Sequence, residues 1–115
     1  MPPLEVRKYL FDIQQACALI AQFVAGRTLL DYLADPMLRS AVERQQAIIG
    51  EAVNQPIRLD AALESALTDA RRVVSFRNRL VHTYFAISDE VVWAIVEANL
   101  PIRCREVGTL LASEP

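Results

Sequence analysis

His82 is the chain's one histidine, and it lies in the segment Arg77-Asn78-Arg79-Leu80-Val81-His82-Thr83-Tyr84. From Ala70 to Ser88 there are four arginines (Arg71, Arg72, Arg77 and Arg79) and neither Asp nor Glu, in a protein of formal net charge -2. An imidazole titrates near neutral pH, so it can take or give a proton. A guanidinium stays charged and presents a planar fork of donors to phosphate oxygens. The two together suit chemistry on a phosphodiester.

Other chemistries find little support. Cys17 and Cys104 are far apart in sequence and form no CxxC spacing, so they read as two small buried hydrophobes. With one histidine and no paired cysteines, a zinc site is not expected, and no carboxylate cluster suggests magnesium. The expected chemistry needs no metal and no cofactor.

At 115 residues the chain reads as one domain over 1–115, long enough to bury roughly two-thirds of its unfolded surface. Its residues are 53% hydrophobic and 23% charged, well outside the disordered regime. No apolar run approaches a membrane span, and Met1-Pro2-Pro3-Leu4-Glu5 does not resemble a secretory signal. The expected address is the cytoplasm, away from any membrane.

The elements that must position the arginine–histidine segment are helices. Val6, Leu10, Ile13, Cys17, Ile20 and Val24 recur at helical spacing, with Gly26 as a stop. Thr28 with Asp31 predicts a capped short turn through Leu33. Asp35-Pro36 starts a long helix whose seam is Leu38, Val42, Gln45, Ile49 and Ala52, closed by Asn54-Gln55-Pro56. Asp60 is expected to cap a helix that runs without a break through Leu63 and Leu67 into the arginines. Ser88 opens another, carrying Val92, Trp93 and Val96, and Pro101 ends or kinks it before a last amphipathic piece. No stretch alternates as a strand would. The expectation is an all-α antiparallel bundle of four main helices plus short additional ones.

On a helix at about 100° per residue, Arg71, Asn78 and His82 fall within about 40° of one another, with Ser75 nearby. Arg77 falls elsewhere, among Ala70, Val73, Val74, Leu80 and Val81. A guanidinium on an apolar face is costly unless it is paired or lies in a seam. Two readings stay open and are compatible: an internal salt bridge, with Glu51 as partner, or a subunit interface with Arg77 at the lip of a cleft. A lone histidine on a helix is also an ordinary surface residue, and arginines before it an ordinary solvated face.

The segment from Arg77 to Tyr84 resembles the Arg-x4-His signature of HEPN-domain ribonucleases, in the Arg-x4-His-x-Tyr form of the HepT toxins. Ala47-Ile48-Ile49-Gly50-Glu51-Ala52 resembles that family's mid-chain helix motif. Tyr84-Phe85-Ala86-Ile87, Val91-Val92-Trp93 and Asn99-Leu100-Pro101 are similar to its carboxy-terminal half. Where many relatives carry a tryptophan shortly before the Arg-Asn pair, this chain has Val73-Val74-Ser75-Phe76.

The resemblance implies a HEPN-type bundle and the toxin half of a toxin–antitoxin pair, with an MntA-like nucleotidyltransferase as antitoxin. It implies a homodimer whose two Arg-x4-His motifs meet in one cleft and cleave RNA, and adenylylation of Tyr84 as the means of silencing. Arg77 and His82 would then be catalytic. Asn78 would orient His82 or hold RNA, or be a plain surface residue. Arg71, Arg72 and Arg79 would meet RNA phosphates. Tyr84 would accept the adenylate or simply pack its ring. The alternative is a non-catalytic HEPN module that dimerises or presents substrate to the nucleotidyltransferase.

Overall fold

A computed structural model describes residues 3–82 and 87–113. These form seven helices: α1 (Leu4–Val24), α2 (Leu29–Ala34), α3 (Pro36–Leu59), α4 (Ala62–Ala66), α5 (Ala70–His82), α6 (Asp89–Ala98) and α7 (Leu100–Ala112). No strand occurs among the described residues. The all-α bundle is as the apolar spacing requires.

Helix α1 buries Val6, Leu10, Ile13, Cys17 and Ile20 of the seam read from the sequence, and Ala16 beside them, with Val24 half-buried at its end. Gly26 follows at φ 71°, a left-handed conformation that glycine adopts at little cost. A full capping box then opens α2: Thr28 N donates to Asp31 Oδ2 at 2.9 Å, and Asp31 N donates to Thr28 Oγ1 at 3.2 Å. Tyr32 of α2 is fully buried, its ring 5.2 Å from that of Trp93 on α6.

Asp35 Oδ1 accepts from Met37 N and Leu38 N at 3.0 and 3.1 Å, and Pro36 occupies the first turn of α3. The helix does not stop at Asn54-Gln55-Pro56, as expected, but continues to Leu59. Pro56 removes one intrahelical hydrogen bond, yet Val53, Pro56 and Ile57 are all buried, and that packing carries the helix past it. The polar break in the α3 seam also shifts by one position. Gln46 is buried at 4% exposure, whereas Gln45 is half-exposed.

The expected continuous helix from 61 into the arginines is in fact two. The N-cap of α4 is Ala61 rather than Asp60, although Asp60 Oδ1, one residue earlier, accepts from Ala62 N at 3.0 Å. Leu67 is extended and Asp69 has φ 57°, which separates α4 from α5. Tertiary bonds hold this break open. Thr68 donates to Glu106 of α7 through both its backbone N–H and its hydroxyl, and Arg103 Nη2 donates to the Thr68 carbonyl at 3.5 Å. No local signal encodes bonds to residues 35 and 38 positions away.

Ser88 Oγ accepts from Val91 N at 3.4 Å to open α6, and Pro101 falls in the first turn of α7. Helix α1 packs along α3, α3 along α5, and α1 along α7. The deepest core lies between them, at Leu10, Ile13, Ile20, Val42, Ile49, Val53 and Val107. Cys17 is in this core and Cys104 half-buried beside it; both are free thiols.

Candidate active site on helix α5

Helix α5 buries few of its side chains, chiefly Ala70 and Leu80, and presents its arginines outward. Arg77 is the exception. It is half-buried where α5 crosses α3, and the crossing occurs at Gly50. A Cβ placed on Gly50 would stand 2.1 Å from Arg77 Cβ and 3.2 Å from the Val73 carbonyl oxygen. Only glycine lets the two helices come this close here.

The guanidinium is then fixed from two sides. Its Nη2 lies 3.3 Å from Glu51 Oε2, the internal salt bridge anticipated from the wheel. Its Nη1 donates to Asn78 Oδ1 at 3.0 Å. Glu51 is itself held, since its Oε1 accepts from Gln55 Nε2 at 3.2 Å. Arg77 Nε is buried without a hydrogen-bond partner. Arg77 also borders a groove between α1, α3 and α5, whose walls include Lys8, Arg44, Ile48 and Val81.

The polar stripe takes the form the helical wheel requires. Arg71, Ser75, Asn78 and His82 are all exposed, and His82 is the last residue of α5. Asn78 is four positions before His82, so the two side chains are neighbours on one face. The hydrogen bond from Arg77 to Asn78 therefore ties the seam-facing arginine to the histidine's stripe.

The remaining arginines differ in their surroundings. Arg71 pairs with Glu64 of α4 at 2.7 Å, and this hydrogen bond pushes its guanidinium pKa further up. On an unbroken helix those residues would be about 10 Å apart along the axis. The break at Leu67–Asp69 brings them together, so the pairing could not be read from a continuous helix. Arg72 is exposed and borders a second cavity beside α7. Arg79 is exposed. Tyr84 lies outside the described residues, as do Thr83, Phe85 and Ala86.

Among the described residues, no group of three or more His, Cys, Asp or Glu side chains is assembled that could hold a metal ion. None of their helices is long and apolar enough to cross a membrane.

Comparison with known proteins places this arrangement in context. Residues 13–106 match the family model described as ribonuclease HepT-like. A protein of Thermococcus cleftensis named a probable ribonuclease HepT is 33% identical over 95 residues, covering 83% of this chain and 86% of the relative. A protein of Methanocaldococcus jannaschii, provisionally named an RNase, is 30% identical over 111 residues, covering 96% of this chain and 91% of the relative. Another from Caldanaerobacter subterraneus, likewise provisionally named, is 28% identical over 108 residues, covering 94% and 96%. No solved structure matches the chain significantly. The family match spans the Gly50–Glu51 crossing and the whole Arg77–His82 segment that it positions, and the chain belongs to the HepT-like ribonuclease family.

Proposed function

We propose that this protein is the toxin of a toxin–antitoxin pair, an endoribonuclease that cleaves RNA without a metal ion, using Arg77 and His82 as catalytic residues. The observation that carries this reading is the linked set Glu51–Arg77–Asn78 at the α3–α5 crossing, one helical turn before an exposed imidazole.

RNA supplies its own nucleophile. The 2′-oxygen attacks the adjacent phosphorus as a base takes its proton, the bond from phosphorus to the 5′-oxygen breaks, and an acid protonates that leaving oxygen. The products are a 2′,3′-cyclic phosphate and a 5′-hydroxyl. His82 is suited to the proton transfers and Arg77 to the charge on the phosphoryl oxygens. Asn78 supports by holding Arg77 Nη1. Arg71, Arg72 and Arg79, exposed along the same helix, supply phosphate contacts and a salt-sensitive affinity.

One imidazole cannot be acid and base in the same step, so the proposed unit is a homodimer with two sets facing one cleft. The groove beside Arg77, with exposed Val81 on its rim, supports that placement. The partner is an MntA-like nucleotidyltransferase antitoxin. It would transfer AMP from ATP to the Tyr84 phenolic oxygen with release of pyrophosphate. The added negative charge would compete for the arginines that RNA needs. The proposed working unit is the single domain 1–115, acting in the cytoplasm.

RNA cleavage by purified protein in EDTA tests the assignment. Wild type should release cyclic-phosphate ends, and His82→Ala and Arg77→Ala should each lose on the order of 100-fold or more. Equal activity in all three preparations would trace the cleavage to a contaminant. Light scattering that gives a monomer, together with cleavage-competent protein, would remove the composite cleft.

A further inference from the structure

On the other side of α5 from His82 lies a cavity of about 210 Å³, bordered by Gln46 of α3, Arg72, Val73 and Phe76 of α5, and Asn99 and Arg103 of the α6–α7 corner. Arg72 and His82 are ten positions apart, which puts them about 80° apart around the helix, and Phe76 lies farther still. This space is therefore not part of the arginine–histidine stripe.

One of its polar groups is unpaired and a second is weakly held, as a bland packing site would not leave them. Gln46 is 4% exposed, and its Nε2 donor has no hydrogen-bond partner. Leaving a buried amide donor unpaired costs about 1–3 kcal/mol. Arg103 is also 4% exposed, and no carboxylate lies within salt-bridge distance of it among the described residues. Its one hydrogen bond to a described group is the long one to the Thr68 carbonyl. Burial pushes its guanidinium pKa down, the mark of a charge that its surroundings do not fully compensate.

The charge of the lining has a sign. Arg72 and Arg103 oppose the single carboxylate of Asp69, which leaves two positive charges against one negative. Glu106 is outside the lining and accepts both donors of Thr68, although its charge still acts on Arg103. The remaining walls, Val73, Phe76 and Ile95, are apolar. An oxyanion would satisfy the Arg103 and Gln46 donors together, and an apolar body would cover Phe76 and Ile95. Taking about 30 Å³ per liquid water, the space equals about seven waters, enough for a ring-sized body and one acidic group.

We propose that this cavity is a binding site for a small organic oxyanion, a carboxylate or phosphate monoester on an apolar body, held by Arg103, Gln46 and Arg72. It faces away from His82, shares only Arg72 with the proposed RNA contacts, and does not depend on the ribonuclease reading.

Titration of the wild-type protein with benzoate, phenyl phosphate and the uncharged benzamide tests it, followed by the Phe76 backbone amide signal in NMR, which every variant retains. Benzoate or phenyl phosphate should move that signal saturably, and whichever binds more tightly identifies the acid class. Benzamide should bind at least about tenfold more weakly. Arg72→Gln, an exposed change, should weaken the better probe about tenfold. Gln46→Leu should abolish measurable binding while the protein stays folded, because it removes an unpaired donor. Arg103→Met should do the same if it folds; the other two variants decide the matter if it does not. The proposal falls if neither acid saturates by about 10 mM, a limit near the weakest useful affinity. It also falls if benzamide binds as well as the acids, or if Arg72→Gln and Gln46→Leu bind like wild type.

Discussion

Gly50 and Arg77 share one volume: a side chain on the first would have to occupy the position of the second's Cβ, 2.1 Å away. The next residue, Glu51, holds the far end of the same arginine at 3.3 Å. Consecutive residues of α3 thus do two jobs for one residue of α5. The absence of a side chain brings the backbones together, and the following carboxylate aims the guanidinium. The pairing explains why a cation sits on an otherwise apolar stripe of α5 without destabilising the bundle.

Gly50→Ala should therefore be costly although it is the mildest substitution available. The contact is with the root of a side chain rather than its flexible end, so α5 must move or Arg77 must change rotamer. Overpacking of this kind costs about 1–3 kcal/mol. In a domain of this size it should lower the melting temperature by several degrees, on the order of 4–8 °C per kcal/mol. RNA cleavage measured at a temperature where the variant is fully folded should fall as well, because Arg77 is displaced. A variant with wild-type melting temperature would show that the crossing is looser than this geometry.

Glu51→Gln separates aim from stability. The Glu51 side chain is 49% exposed and that of Arg77 28%, so the pair contributes less than about 1 kcal/mol to folding, and urea midpoints should barely move. The loss should appear in turnover. A guanidinium without its carboxylate swings away from the phosphoryl position, and kcat should drop about 3- to 30-fold with KM for RNA little changed. Glu51→Asp should recover part of the rate, since it restores the charge at a longer reach. If KM rises while kcat holds, Glu51 acts on RNA binding instead of on Arg77.

Much of this arrangement was legible in the chain because it is local. The α1 seam, the Thr28–Asp31 box, the Asp35-Pro36 start and the Ser88 cap all follow from residues within four positions of one another. Arg77 was readable as a misfit because its helical neighbours are apolar, and Glu51 was the acid that could answer it. What the sequence concealed is long-range. The break between α4 and α5 depends on Thr68 reaching Glu106 and Arg103 on α7, and the Glu64–Arg71 pair follows from that break. The continuation of α3 through Pro56 likewise depends on burial of Val53 and Ile57, which outweighs a local stop signal. Choosing between Gln45 and Gln46 for the α3 seam required the packing of α5 and α7, because adjacent positions differ by only about 100° on the wheel.

The corner where α2, α3 and α6 meet gives a pH-dependent prediction. Arg39 lies 3.5 Å from Asp89 and also donates to the carbonyls of Tyr32 and Leu33, so its charge is already engaged. Glu43, one turn along α3, has no ion pair among the described residues. Burial first, and then repulsion from Asp89, raise its carboxyl pKa above the ordinary value, while Arg39 opposes the shift. A carboxyl whose folded pKa is raised favours the folded state most at pH below its unfolded value. That advantage is lost as pH climbs through the folded pKa, because the fold must then hold a disfavoured charge. Glu43→Gln keeps the shape and removes the charge. Its melting temperature should exceed that of wild type at pH 7, by a modest 1–3 °C or so because the site is partly solvated. The gap should close as pH falls toward about 4, where wild-type Glu43 is itself largely neutral. A gap that is constant across this range would locate the effect in packing, and a lower melting temperature at pH 7 would mean that Arg39 serves Glu43 as well as Asp89.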